Sequence, residues 1–175
     1  MDSFEFFKLQ KFLNKAVAEL GYEKPTPVQI ESFPVIKSGS DIVGISQTGT
    51  GKTLAYLLPI LQDLSFSKQS TPRILILVPT RELVLQVESA IKALTKYMAI
   101  RVYGVYGGVN INTQKQEVVR GLDIVVATPG RAKDLLKRKR LVLDNINRVV
   151  LDEADEMLTM GFKDELDAIL GAKPE

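Results

Sequence analysis

Apolar positions along this chain follow two rhythms. Leu9, Phe12, Leu13, Ala16, Val17 and Leu20 recur at helical spacing, and Gly21 follows where a C-terminal cap belongs, which predicts a helix over 8–20. Thr26-Pro27 supplies an N-cap and first-turn pair, so a second helix should run to about Ile36 and end at Gly39-Ser40-Asp41. Short, consecutive apolar runs then appear at 41–45, 73–78, 102–105, 123–127 and 148–151, the pattern of strands buried on both faces. Helical patterns separate them, over 52–63, 81–97, 112–120, 131–138 and 155–170. This alternation predicts an α/β fold with a mostly parallel sheet, helices on both faces, and ligands beyond the carboxyl ends of the strands.

Composition narrows the chemistry. The chain has 175 residues, 45% hydrophobic and 25% charged, as expected of one globular domain or part of a larger one. It contains no Cys and no His, which removes disulfides, zinc sites, thiol nucleophiles and every catalytic arrangement built on an imidazole. A net charge of +2 gives no bulk attraction to nucleic acid or membrane, so such partners need a local patch. One candidate lies over 131–140, where six basic residues face one acid; it reads as a solvated helix end or as an RNA-binding patch. No apolar run reaches membrane-spanning length and Met1-Asp2-Ser3 lacks a basic signal start, so no membrane partner and a cytoplasmic location are expected.

Two motifs carry the chemistry. The first predicted strand runs into Ser46-Gln47-Thr48-Gly49-Thr50-Gly51-Lys52-Thr53 and then an apolar helix. In that context the glycines let backbone N–H groups converge on phosphates, Lys52 adds a full charge, and the Thr53 hydroxyl is placed for Mg²⁺. Ser46 stands where the strict P-loop pattern has Gly. The second motif, Asp152-Glu153-Ala154-Asp155, lies at a predicted strand's carboxyl end. Two adjacent acids suit two tasks, Asp152 holding the metal and Glu153 orienting or deprotonating a water for phosphoryl transfer.

The order of motifs resembles the first RecA-like lobe of a DEAD-box ATP-dependent RNA helicase over nearly the whole chain. Residues 21–29, with Phe4 upstream, resemble the Q motif; Ser46–Thr53 resemble motif I; Pro79-Thr80-Arg81-Glu82-Leu83 resemble motif Ia. Gly107-Gly108 match the double glycine, Thr128-Pro129-Gly130-Arg131 motif Ib, and Asp152–Asp155 motif II. The resemblance implies a RecA-like P-loop domain, with 1–36 as a Q-motif region packed on a lobe of 37–175. It implies ATP and Mg²⁺ as ligands, Tyr22 stacking on the adenine and Gln29 reading its edge, and Lys52, Asp152 and Glu153 as catalytic residues. It further implies sequence-nonspecific contact with an RNA backbone through Pro79, Thr80, Arg81, Gly107, Gly108, Thr128, Pro129, Gly130 and Arg131. Taken singly, Arg81 and Arg131 read as surface charges. Tyr97, Tyr103 and Tyr106 read as packing residues sooner than as base-stacking ones.

The family's Ser-Ala-Thr motif and second lobe do not occur before Glu175. The expectation is therefore a RecA-like domain lacking its last strand or strands, with a gap between the phosphate-loop strand and the DEAD strand. Hydrolysis by the isolated chain should be weak, because the arginine that stabilises phosphoryl transfer comes from the other lobe. The leading function is an ATP-dependent RNA helicase partnered by its second lobe; the alternative is a non-catalytic ATP- or RNA-binding scaffold.

Overall fold

The computed structural model describes residues 3–174. They form two compact units, one of residues up to Phe66 together with Ile91–Ala99, the other of Ser67–Ala90 with the chain from Ile100 onward.

The first unit opens with a 3-10 turn, Phe4–Phe7, capped by the Ser3 hydroxyl, and continues into α1 (Lys11–Glu19), α2 (Pro27–Lys37) and α3 (Lys52–Gln62). Phe7 stacks on Phe33 of α2 with ring centroids 4.4 Å apart, and Phe4 meets Tyr22 at 6.4 Å. The side chain of Gln10, the N-cap residue of α1, accepts nothing from its own helix, while its backbone carbonyl accepts from Asn14 N–H at 2.9 Å. Its backbone N–H instead donates to Gln62 Oε1 at 2.7 Å and its side-chain amide to Leu61 O at 3.1 Å, which satisfies a last carbonyl of α3. Ser32 Oγ donates to Ala55 O, joining α2 to α3. Tyr97 hydrogen-bonds Glu19, and Lys15 lies 4.1 Å over the same ring. The Tyr97 hydroxyl and the Lys96 ammonium hold the Glu19 carboxyl below its usual range.

The second unit holds four strands, β1 (Ile74–Leu77), β2 (Val102–Val105), β3 (Ile124–Ala127) and β4 (Arg148–Leu151). All pair in parallel in the order β2-β3-β1-β4, with Ile74 opposite both Ile124 and Arg148. The central strands β1 and β3 are buried at every residue, as their unbroken apolar runs require. Alternate residues serve opposite faces. Leu75, Leu77, Val125 and Ala127 join Val118 of α5 (Ile111–Arg120), Ala132 and Leu135 of α6 (Pro129–Lys137), Met157 of α7 (Ala154–Thr159) and Ile169 of α8 (Lys163–Gly171) in one core. On the other face, α4 (Arg81–Leu94) approaches β2 so closely that a methyl group at Gly104 would stand 2.7 Å from Val84 Cγ1 and from Glu88 Oε2. The expectation of a parallel sheet with helices on both faces is met within this unit. Among the described residues no helix is long and apolar enough to cross a membrane.

Two expectations are corrected. The apolar run at 41–45 forms no strand: it has no ladder partner among the described residues, and Val43 and Ile45 are 89% and 94% exposed. An extended segment becomes a buried strand only when neighbours take up its N–H and C=O groups on both sides. The neighbour that the resemblance implies for it, the Ser-Ala-Thr strand, does not occur in this sequence. β4 is an edge strand among the described residues, only half-buried, with Leu151 exposed. The helix expected over 155–170 is two helices. Gly161, at φ +84°, ends α7 with paired bonds from Gly161 N–H to Leu158 O and Phe162 N–H to Met157 O, and Phe162 then starts α8.

The amino ends of the strands are tied by one carboxylate. Asp123, 1% exposed, accepts from Arg101 Nε at 3.1 Å, Arg101 backbone N–H at 2.8 Å, Arg73 Nη2 at 3.0 Å and Gln69 Nε2 at 3.1 Å. Arg73 precedes β1, Arg101 precedes β2 and Asp123 precedes β3. Burial pushes this carboxyl up, but the hydrogen bonds from Arg101 and Arg73 outweigh it and hold the group below its ordinary value. A depressed folded-state pKa gives stability that is complete above the unfolded value of about 4 and is lost as pH falls through the lower folded value. Asp123→Asn should cost about 3 kcal/mol, because it leaves two guanidinium groups without their counter-charge. In urea titrations the loss should shrink as the wild type is acidified below that range; an equal loss at pH 7 and at pH 3 would deny the linkage.

Candidate functional site

In parallel strands every carboxyl end leaves the sheet at the same edge, and in the second unit each of the four exits is a motif. β1 leads into Pro79-Thr80-Arg81, β2 into Tyr106-Gly107-Gly108, β3 into Thr128-Pro129-Gly130-Arg131 and β4 into Asp152-Glu153. The strand order therefore lines them up as double glycine, Ib, Ia, DEAD, at about 4.8 Å per step. The ladder runs on into the motifs themselves. Val78 N–H donates to Ala127 O, Thr128 N–H to Val105 O and Asp152 N–H to Leu77 O, all at 3.0–3.1 Å. Thr80 then caps α4, its hydroxyl accepting from Leu83 N–H at 3.3 Å, while Thr128 and Pro129 take the N-cap and first-turn places of α6.

A polar network connects three of these exits. Gln114, buried in α5, uses one carbonyl oxygen to accept from Tyr106 N–H at 3.2 Å and from Arg131 Nη1 at 2.9 Å. Arg131 Nη2 also donates to Val109 O at 3.1 Å. Arg81 lies over the Tyr106 ring, its guanidinium carbon 5.0 Å from the centroid. Arg131 is thus a fixed group rather than a mobile surface charge. Tyr106 packs, as expected, and its packing partner is the motif Ia arginine. Gln114 was not among the sequence candidates. It sits one turn into a polar helix, and only its burial opposite Arg131 singles it out. Gly107 and Gly108 remain exposed beside this network, and Gly108 has φ +81°.

At the DEAD exit Glu153 takes a left-handed conformation, φ +55°, at the N-cap of α7. A non-glycine residue there stores about 1–2 kcal/mol of strain, a cost that concentrates at functional positions. Asp152 and Glu153 are half-buried and Asp155 is exposed.

The first unit holds the phosphate loop and the Q-motif residues. Gly49 and Gly51 take φ +79° and +85°, and Gly51 is the N-cap residue of the eleven-residue α3. Lys52 Nζ folds over the loop and donates to Ser46 O at 2.8 Å, and Ser46 Oγ and Thr50 Oγ1 share a hydrogen bond of 2.9 Å. Thr50 Oγ1 also donates to Gln47 O, while Gln47, Thr48 and Gly49 are exposed and Thr53 is half-buried in the first helical turn. Gln29 is 4% exposed. Its Oε1 accepts from Thr26 N–H at 2.9 Å and its Nε2 donates to Gly51 O at 3.1 Å, which bolts the Q-motif helix to the end of the loop. A methyl group at Gly51 would collide with that Nε2. The Tyr22 ring is half-exposed.

The family model for DEAD/DEAH box helicases matches residues 26–175, 150 of the 175 positions. The chain belongs to the DEAD/DEAH box helicase family. It is 44% identical over 174 residues to the ATP-dependent RNA helicase DeaD of Buchnera aphidicola subsp. Schizaphis graminum, covering 99% of this chain and 29% of that protein. It is 46% identical over 162 residues to the DeaD helicase of Escherichia coli K12, and 45% identical to that of Mycobacterium tuberculosis H37Rv, covering 92% of this chain and 26% and 29% of those proteins. The chain thus spans less than a third of the length of these curated relatives. The RecA-like α/β fold is the fold of this helicase family.

Two outcomes test the geometry. Gln114→Leu should cost roughly 1–3 kcal/mol in urea unfolding, since it strips an acceptor from Tyr106 N–H and Arg131 together, whereas Gln114→Glu should restore most of it. Gly51→Ala should destabilise less in a Gln29→Ala background than alone, because the colliding amide is gone; equal costs in both backgrounds would rule out the coupling.

Proposed function

We propose that the chain is the ATP- and RNA-binding lobe of an ATP-dependent RNA helicase, whose whole protein couples ATP hydrolysis to RNA remodelling. The observation that carries this reading is the lineup of motifs Ib, Ia and the double glycine on three adjacent strand exits, the double glycine and Ib joined through Gln114 and Ia through Arg81 over the Tyr106 ring, with the DEAD acids on the fourth. Residues 1–36 serve as the Q-motif region and 37–175 as the RecA-like lobe, and the compartment is the cytoplasm.

In this reading the adenine stacks on Tyr22, which is half-exposed. Gln29 reads the adenine edge with the amide N–H and the carbonyl lone pair that Gly51 and Thr26 leave over. The amides of residues 46–53 and the start of α3 receive the phosphates, and Lys52 exchanges the Ser46 carbonyl for a phosphate oxygen. Thr53 and Asp152 would hold Mg²⁺. They are hard oxygen donors, and this ion is ordinarily bound through one or two carboxylates with its remaining places filled by water. When bound, the ion neutralises charge on the phosphates. Glu153 accepts the proton of the attacking water, with its backbone strained into position before substrate arrives. Arg81, Arg131 and the exposed glycines contact the RNA backbone, which positions a strand without reading its sequence. The second lobe supplies the remaining RNA surface and the arginine needed for fast turnover.

Calorimetric titration of the chain with Mg-ADP and Mg-GDP tests the pocket. ADP should bind and GDP should not, and Lys52→Ala should abolish the ADP signal; equal binding of both nucleotides would remove Gln29 from its role. For the whole protein, RNA should stimulate ATP hydrolysis, and Glu153→Gln should retain ATP binding while losing turnover. Absence of RNA-stimulated hydrolysis would favour the scaffold reading.

A further inference from the structure

The basic run over 131–140 is not merely a frayed helix end. Arg138 is the C-cap of α6, Lys139 is held in the left-handed region at φ +53°, and the turn closes with Lys139 N–H to Leu136 O and Arg140 N–H to Leu135 O, both 2.9 Å. Leu141, fully buried, anchors the exit. The turn therefore delivers Arg140 to a fixed place, and that place is beside α5. There Asn112, Lys115, Gln116, Val119 and Arg120 recur at helical spacing and share with Arg140 an open concavity of about 580 Å³. This stripe lies on the face of α5 opposite the buried Gln114 and Val118. Three cations face it. Glu117 pairs with Arg120 at 2.5 Å, while Lys115 and Arg140 make no ion pair among the described residues.

We propose that this groove is a second RNA-binding surface, which takes the phosphodiester backbone of the strand as it continues beyond the double glycine and motif Ib. The proposal rests on the RNA-binding reading given above. Its geometry is continuous with those motifs. The stripe starts two residues after Asn110, the N-cap that follows Gly107-Gly108-Val109, and Arg140 reaches it from the far end of α6, the helix that motif Ib opens. From Asn112 to Arg120 the stripe runs about 12 Å at 1.5 Å per residue, room for roughly three nucleotides at about 3.4 Å per stacked step. Its lining favours a nucleic acid over an acidic protein segment. Cations alternate with the amides of Asn112 and Gln116, which suit phosphate and sugar oxygens, and only Val119 offers an apolar contact to anchor a peptide side chain.

The test measures fluorescence anisotropy of the chain with labelled uridine RNA of two lengths. One is just long enough to cover the double-glycine, Ib and Ia exits, and the other extends beyond it at both ends. Wild type should bind the longer RNA more tightly and with a steeper salt dependence. Lys115→Glu combined with Arg140→Glu should weaken the longer RNA about tenfold and lower its salt slope by about 1.4, two contacts at about 0.7 each on a single strand. Binding of the short RNA should stay unchanged. A milder pair, Lys115→Gln with Arg140→Gln, should show the same length-selective loss in smaller measure. Long-RNA affinity equal in wild type and the charge-reversed variant, with short-RNA binding intact, would overturn the groove alone. Failure of wild type to bind the short RNA would overturn both the groove and the reading beneath it. Poly-glutamate binding lost in the variant, with RNA binding unaffected, would assign the groove to an acidic protein and overturn the proposal.

Discussion

Parallel pairing is the constraint on which the rest depends. Once β1 to β4 run in one direction, every strand must leave the sheet at the same edge, and each exit must turn into a helix or loop there. Motifs far apart in sequence, such as those of Arg81 and Glu153, 72 positions apart, become neighbours along one rim. The opposite edge needs its own restraint, because the amino ends carry charged residues beside a dry core. Asp123 supplies it by taking hydrogen bonds from Arg73 and Arg101 at the entries of two other strands. Three strand entries share one buried charge, and two of those strands, β1 and β3, run fully buried from it to the motif-bearing edge.

The residues that would touch ligand are themselves held by residues that would not. Gln114 illustrates this: one carbonyl oxygen fixes both the backbone before the double glycine and the guanidinium of motif Ib. Gln29 does the same for the phosphate loop, since its amide spans from the N-cap of α2 to the N-cap of α3. In both cases an amide serves without carrying charge into a buried place: Gln29 accepts and donates at once, while Gln114 accepts twice through one oxygen. Gly51 has to be glycine for two separate reasons, its positive φ and the space that the Gln29 amide occupies.

The outer side of β4 and the run at 41–45 each lack a ladder partner among the described residues. β-Strand propensity in Ile42, Val43 and Ile45 has no effect without a ladder to join, and the exposed apolar side chains record that deficit. An edge of this kind favours pairing with any extended segment that reaches it.

Much of the architecture was legible in the sequence, because the relevant forces are local or periodic. Four of five strands and the main helices follow from apolar spacing, and the caps at Gly21 and Thr26 follow from backbone sterics and hydrogen bonding. The phosphate loop and the DEAD acids were readable as short, contiguous motifs, as was the family. What the sequence could not supply was anything decided by partners distant in the chain. Whether 41–45 becomes a strand depends on a neighbour, not on its own composition. Whether Arg131 is a loose charge or a fixed one depends on Gln114, seventeen residues away, and whether Arg140 belongs to a helix end or to a groove depends on the turn at Lys139 and on α5. Periodicity reports which side of an element is apolar; only tertiary packing decides which polar groups are thereby brought within hydrogen-bonding distance.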